Sequence, residues 1–172
     1  MDFAATRLGK GMPLVLSRLN LGLLAREVLD ELKAANPDRT LRFEARGDLE
    51  CMCDGGRMRQ VISNLLGNAL QHGSKEGDID LSLASEGENV VLTVHNLGQP
   101  IAPDLLPTIF DPLVRDTGPN PQSRHSGSVG LGLHIAHEIV VAHGGAIRVT
   151  SSAESGTSFT VSLPHIRSEQ QQ

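Results

Sequence analysis

Apolar and polar residues along this chain switch repeatedly between a period of two and a period near 3.6, and each switch marks an element. "MPLVLSRLN" reads as a short strand. Asn20 stands where a helix cap belongs, and Leu21, Leu24, Val28, Leu29 and Leu32 share one face of the helix it would start. "NPDRT" stops that helix; "LRFEARG" alternates as a half-buried strand, and "LECMC" reads as another. From about Gly56 to His72 the period is helical again. "GSKEGD" is a turn, and "IDLSLAS" and "NVVLTVHN" alternate on either side of "EGEN", which is a hairpin signal. A short helix is expected in "PDLLPTIF". Arg115 to Val129 is rich in Gly, Pro, Ser and Asn and has no apolar period, so it reads as a long mobile loop of the kind that serves as a lid. A Gly-rich turn and a third long helix follow, with Gly144 as its C-terminal cap. "AIRVTSS" and "GTSFTVSLP" close the chain as two strands before the polar tail "RSEQQQ". The alternation predicts an α/β fold.

Composition narrows this reading. A chain of 172 residues is one ordinary domain with a real core, and with no Trp or Tyr and four Phe that core must be mainly Leu, Val, Ile and Ala. A net charge of −5 argues against nucleic acid as the main partner. No apolar run approaches the roughly 20 residues that span a bilayer. Met1 leads into "DFAATRLGKG" with no apolar stretch of a signal peptide. A cytoplasmic domain without membrane contact is therefore expected, whether its parent is membrane-anchored or soluble. Cys51 and Cys53 would point the same way in an extended segment and are poorly placed to pair, so they read as two reduced thiols.

Two stretches carry candidate chemistry. In "SGSVGLGLHIAHEIVVAHGG" glycines crowd the start of a helix, where free N–H groups and the positive end of a dipole suit a phosphate; an ordinary tight turn is the other reading. In "GRMRQVISNLLGNALQHG", Gln60, Asn64 and Asn68 recur every four residues and place their amides on one helix face. Such a line is either a solvated stripe or a ligand-facing one. Lys and Glu would be the better helix formers on a solvated stripe, and an Asn oxygen suits Mg²⁺, which shares its shell with phosphates.

"RMRQVISNLLGNALQHG", "VHNLGQPI", "IFDPLVR", "GLGLHIAHEIVVAHGG" and "SGTSFTVSLP", in this order and at these intervals, resemble the ATP-binding catalytic domain of bacterial sensor histidine kinases. That domain shares a superfamily with DNA gyrase, MutL-type repair proteins and a heat-shock chaperone. The resemblance covers about Leu14 to Pro164 and implies a two-layer sandwich: a mixed, mostly antiparallel β-sheet against three helices, with ATP between the helices and a flexible lid. It divides the chain into the end of a dimerisation and phosphoacceptor helix at 1–12, the catalytic domain at 13–165 and a polar tail at 166–172.

The resemblance also implies roles. Asn68 matches the asparagine that helps hold Mg²⁺ on the phosphates, and Asn64, one turn earlier, faces the triphosphate. ATP-hydrolysing relatives carry a glutamate at the position of Asn64, and a neutral amide cannot act as a general base. Phosphotransfer is thereby favoured over hydrolysis. Gly130 and Gly132, with Leu131 and Leu133, would offer backbone N–H groups to the phosphates at the helix start. Phe110 matches an aromatic before the lid, a role equally compatible with a plain core contact. Asn96, Gly98 and Ile101 occupy the adenine motif, and Gly156 and Thr157 close the adenine end.

Several positions depart from the family pattern. Asn96 replaces an aspartate that accepts from the adenine amino group. Its oxygen can accept too, but without charge, which implies weaker binding. Pro100 stiffens a segment where the family has glycine. Gln71 replaces a common basic residue, and His72 a common aromatic beside adenine. Ser128 and Val129 replace the Gly-Thr of the lid, where Arg115, Arg124 and His125 could meet phosphates or simply be solvated. His137-Glu138 lacks the proline of the acceptor motif, so His137 reads as a surface residue; with His134 it has helical metal spacing but no third ligand. The implied function is to bind Mg-ATP and transfer the γ-phosphoryl to a histidine of a dimerisation domain that is not part of this chain, with a response regulator downstream. The isolated domain is expected to be monomeric. The alternatives are a degenerate nucleotide-sensing or docking module and, disfavoured by Asn64, a gyrase-type ATPase.

Overall fold

The computed structural model describes residues 12–112 and 123–165, with the backbone alone for 123–130. Two helices start at side-chain caps. Asn20 Oδ1 accepts from Leu23 N at 3.0 Å and opens α1 (Leu21–Ala35). Asp54 Oδ1 accepts from Arg57 N at 3.1 Å and opens α2 (Gly55–His72). The third helix, α3, runs Ser123–Ala142.

Among the described residues seven strands accompany the helices: β1 (Ser17–Asn20), β2 (Leu41–Arg46), β3 (Glu50–Cys53), β4 (Ile79–Glu86), β5 (Asn89–Asn96), β6 (Ala146–Ser152) and β7 (Gly156–Pro164). Five form one sheet in the order β2-β4-β5-β7-β6. Only the β2–β4 pair is parallel, so the sheet is mixed and mostly antiparallel. β1 and β3 form a separate antiparallel pair.

One sheet face is apolar and carries the helices. Ile79, Leu81 and Leu83 of β4, Val90, Leu92 and Val94 of β5, and Phe159, Val161 and Leu163 of β7 are all buried. They meet Leu21, Val28 and Leu29 of α1, the Met58, Val61, Ile62, Leu65, Leu66 and Ala69 face of α2, and Leu133, Ala136, Ile139 and Val140 of α3. Helix α2 is the middle one, packed between α1 and α3. Each fully buried Leu or Ile contributes about 1.5–3 kcal/mol. Cys51 and Cys53 are free, fully buried and on the same face of β3, with sulfurs 3.7 Å apart.

Three elements differ from expectation. The first strand is shorter than "MPLVLSRLN". Its ladder ends at Ser17↔Cys53, because the next partner residue, Asp54, is already the cap of α2 and takes Val15 N–H on its carboxylate at 2.9 Å. "PDLLPTIF" holds only a 3-10 turn at Leu106–Thr108, where Pro107 lacks the N–H that a longer helix needs. Helix α3 begins at Ser123, inside the stretch expected to be loop. Extending an existing helix costs far less than nucleating one, and the glycines there weaken it without ending it. Residues 1–11 and 166–172, Arg115, and the side chains of Arg124, His125, Ser128 and Val129 lie outside the described residues. Gly144, at φ +79, follows the C-terminus of α3, and Gly145 N donates back to Val140 O at 3.0 Å.

Candidate nucleotide site

The end of β5 forms one half of the site. Along β5 the inward positions read Val90, Leu92, Val94, Asn96, so the apolar row ends in an amide. Asn96 is 5% exposed. Its Nδ2 donates to Leu97 O at 3.1 Å, and its carboxamide oxygen has no donor among the described residues. That oxygen is not an enclosed orphan either: the buried unpaired side-chain atom among the described residues is Arg39 Nε. On β7 the residue in register with Asn96 is Thr157, also buried. Thr157 Oγ1 lies 2.7 Å from Ser151 Oγ, which accepts Ile101 N–H at 2.8 Å.

Three glycines crowd this corner, and the fold itself requires them. Gly98 has φ +141, and a Cβ there would lie 2.7 Å from Ser74 N. Gly156 has φ +83, and its Cβ would press into the carbonyl oxygen of Asn96. A Cβ on Gly73 would meet Ala69 O at 2.6 Å and Asn96 Nδ2 at 3.0 Å. Ser74 N donates to Leu97 O at 2.7 Å, which ties the end of α2 to the Asn96 loop. Arg39 braces the same joint, donating to Leu70 O at 3.0 Å and Ser74 O at 3.1 Å. His72, the last residue of α2, is exposed, yet neighbouring protein crowds its ring enough for desolvation to lower its pKa.

The facing surfaces of α2 and α3 form the other half. Asn64 Nδ2 donates to Gly132 O at 3.0 Å, so the amide line of one helix meets the glycine motif of the other. A Cβ on Gly132 would lie 3.6 Å from Asn64 Cγ, an ordinary contact, so packing does not demand glycine there. Asn68 is half-buried one turn further along α2. Leu133 is buried and Leu131 is 42% exposed.

Two expectations need correction. Gly130, Leu131, Gly132 and Leu133 do not stand at a helix start, because α3 begins seven residues before Gly130 and runs through all four. Their N–H groups point along the helix into its own hydrogen-bond ladder. The Asn64 amide is likewise engaged with α3. His137 is not a plain surface residue: it is half-buried and stacks on Phe110 with ring centroids 5.5 Å apart. His134 Nδ1 donates to Phe110 O at 3.0 Å, and Phe110 meets Phe159 edge-on at 6.0 Å. Phe110 is therefore anchored on α3 and on the core together.

The sequence reading missed Gly73, Ser151 and Arg39, and it weighed His134 only as a metal ligand, not as an anchor for Phe110. A readable signal existed for Ser151: the inward row of β6 runs Ile147, Val149, Ser151 and ends in a polar residue, as the row of β5 does at Asn96. For Arg39 and His134 the partners are backbone carbonyls, which side-chain patterns do not reveal.

The sequence model of the family described as "Histidine kinase-, DNA gyrase B-, and HSP90-like ATPase" matches residues 53–167. Sensor histidine kinase CusS of Escherichia coli O6:H1 (strain CFT073) is 39% identical over 148 residues, covering 85% of this chain and 30% of the relative. The chain thus spans about a third of that protein's length. Among solved structures, the catalytic domain of histidine kinase ThkA superposes with a TM-score of 0.73 at 31% identity, covering 88% of this chain and 96% of the other. ThkA in complex with response regulator protein TrrA superposes at 0.72 and 30% identity, covering 90% of this chain and 43% of that one. With the family match extending over most of its length, the chain belongs to the histidine kinase-, DNA gyrase B- and HSP90-like ATPase family.

Proposed function

We propose that residues 13–165 are the catalytic domain of a protein histidine kinase. In this reading the domain binds Mg-ATP between α2, α3 and the ends of β5 and β7. It delivers the γ-phosphoryl to a histidine on a dimerisation domain, as one step of two-component signalling in the cytoplasm. The Asn64–Gly132 contact carries the reading, because it joins the amide line and the glycine motif across two helices. Asn96, Gly98, Ile101 and Thr157 take the base, with His72 beside it. The unpartnered oxygen of Asn96 is the acceptor for the adenine amino group. Asn68 would hold Mg²⁺, which when bound neutralises charge on the phosphates.

For Gly130, Leu131, Gly132 and Leu133 to give N–H groups to phosphate, α3 must unwind ahead of Leu133. Glycine costs a helix interior about 1 kcal/mol relative to alanine, so Gly127, Gly130 and Gly132 make this the weak end of the helix. Asn64 is a neutral amide and cannot act as a general base for water, which favours a protein acceptor. The partners are the parent kinase's dimerisation domain and a response regulator.

Radiolabelled ATP tests this. The chain alone should bind nucleotide without accumulating acid-labile phosphohistidine. Adding the dimerisation domain as a separate polypeptide should give slow transfer, because the tether that supplies effective concentration is cut. Robust acid-labile labelling of the chain alone would make one of its own histidines the acceptor and overturn the reading.

A further inference from the structure

On the outer face of the sheet, away from the helices, four residues form a polar strap that ends at the candidate base site. It starts on the edge strand β2, where Arg42 Nε donates to Asp80 Oδ1 at 2.6 Å and Arg42 Nη1 lies 3.2 Å from Asp78 Oδ2. Asp80, on β4, stands in register with His95 on β5, and its Oδ2 lies 3.6 Å from His95 Nδ1. His95 reaches on across the sheet, and its Nε2 donates to the carbonyl of Ser155 at 2.7 Å. Ser155 belongs to the turn between β6 and β7, where its N–H and hydroxyl both bond Ser152 Oγ, at 3.0 and 2.6 Å. The next two residues are Gly156 and Thr157. A Cβ on Gly156 would lie 2.9 Å from His95 Nε2, so ring and backbone are in contact.

We propose that His95 is a positioning residue for base recognition, fixing the Gly156–Thr157 corner against Asn96 through its bond to the Ser155 carbonyl. The inference rests on the reading that this corner receives the base. A contact with Asp80 alone would need no bond to the turn; the reach to Ser155 is what couples the strap to the site. Neighbouring residues of one strand point to opposite sheet faces, so His95 acts from outside on the backbone that Asn96 faces from inside. The carboxylate of Asp80 is held below its ordinary pKa by Arg42, then by His95, and so remains an anion facing the imidazole.

The test uses two substitutions. His95→Gln keeps an N–H donor near the position of Nε2, whereas His95→Leu removes it at similar size. Calorimetry with ATP and GTP on the folded proteins should show the preference for ATP falling about fivefold in His95→Leu, the scale of one lost hydrogen bond, and returning in His95→Gln. Backbone amide exchange at Gly156 and Thr157 should quicken in the first and not in the second. A folded His95→Leu protein with the parent's preference and exchange would overturn the positioning role while leaving the nucleotide reading intact. A parent protein that does not distinguish ATP from GTP would overturn the base-site reading and the role with it. Should His95→Leu not fold, Asp80→Asn, which spares the Nε2 bond, carries the test. Faster exchange at Gly156 is the expected result, and unchanged exchange would overturn the strap.

Discussion

The two ends of the candidate site are built in opposite ways. At the Asn96 end the glycines are fixed by the fold: Gly98 and Gly156 have positive φ, and a side chain on Gly73, Gly98 or Gly156 would strike backbone. At the α3 end Gly132 is a helical residue with room for a methyl group. The first end is a formed corner tied by Ser151, Thr157, Ile101 and Leu97. The second is a regular helix that carries glycine at some cost to its own stability and with no packing gain in return. A residue type that the fold does not need, in a place where it weakens a helix, points to a demand made by something outside the fold.

Alanine substitutions should expose this contrast most clearly. Gly156→Ala should destabilise the protein by about 3 kcal/mol, from a positive φ combined with a backbone clash. Gly132→Ala should stabilise it by up to about 1 kcal/mol, because alanine is the better helix former. The same Gly132→Ala protein should bind ATP at least about tenfold more weakly if phosphate approaches that backbone. Urea unfolding and calorimetry read the two effects separately. Equal destabilisation by both substitutions would erase the contrast.

Asn68 sharpens the comparison on the phosphate side. Asn68→Ala should weaken ATP by about 2 kcal/mol in Mg²⁺, the scale of a bond to a charged group, and by much less in EDTA. An equal loss with and without metal would remove the ion from its role.

The formed end was the more legible one in sequence. The period-two rows of β4, β5 and β7 predict strands and "EGEN" predicts the β4–β5 hairpin, though not the pairing of β5 with β7, and the glycines at positions 98 and 156 sit in turns where positive φ is the usual reason for glycine. The caps at Asn20 and the stop at Gly144 were equally readable, since they depend on residues near in sequence. The phosphate end was legible in composition but not in conformation. Whether "SGSVGLGLH" is a loop or helix depends on competition between glycine cost and helix extension from the buried Leu133–Val140 segment, two terms of similar size. The stacking of His137 on Phe110 was unreadable because it depends on where a distant segment crosses α3.

Asn96 tests the base end more finely. Asn96→Asp should tighten ATP by about 1 kcal/mol, the usual gain from a charge-assisted bond. It should also lower the stability of the nucleotide-free protein, because a carboxylate replaces the Nδ2 donor beside Leu97 O in a buried position. ATP should therefore raise the melting temperature more in this variant than in the parent. No change in affinity would mean that the base is held by stacking alone.

The smallest expected effect is one of pH, and it belongs to the helical end. His143 follows α3 and joins it to the start of α2. Its Nδ1 donates to Ile139 O at 2.8 Å, and its Nε2 accepts Asp54 N–H at 3.0 Å. That pattern requires the neutral ring. Burial lowers its pKa below the ordinary 6.5, and the bond to Ile139 and the nearby Asp54 carboxylate only partly offset this. Burial works against Asp54 too, but bonds from Val15 and Arg57, with the charge of Arg57, bring it below the usual carboxylate value and keep it ionised. For a lowered pKa the unfolded chain takes up the proton first as pH falls. The contribution of His143 is therefore undiminished above 6.5 and is lost between 6.5 and the folded value, by at most about 1.4 kcal/mol per pH unit. Between pH 7.5 and 5.5 the loss should be on the order of 1 kcal/mol or less. Amide exchange should rise along α3 before it rises in β5 and β7. His143→Gln keeps an acceptor for Asp54 N–H and removes the proton site, so it should flatten the pH slope, with His72 accounting for part of what remains. An unchanged slope in that variant would show that acid acts on the two ends alike.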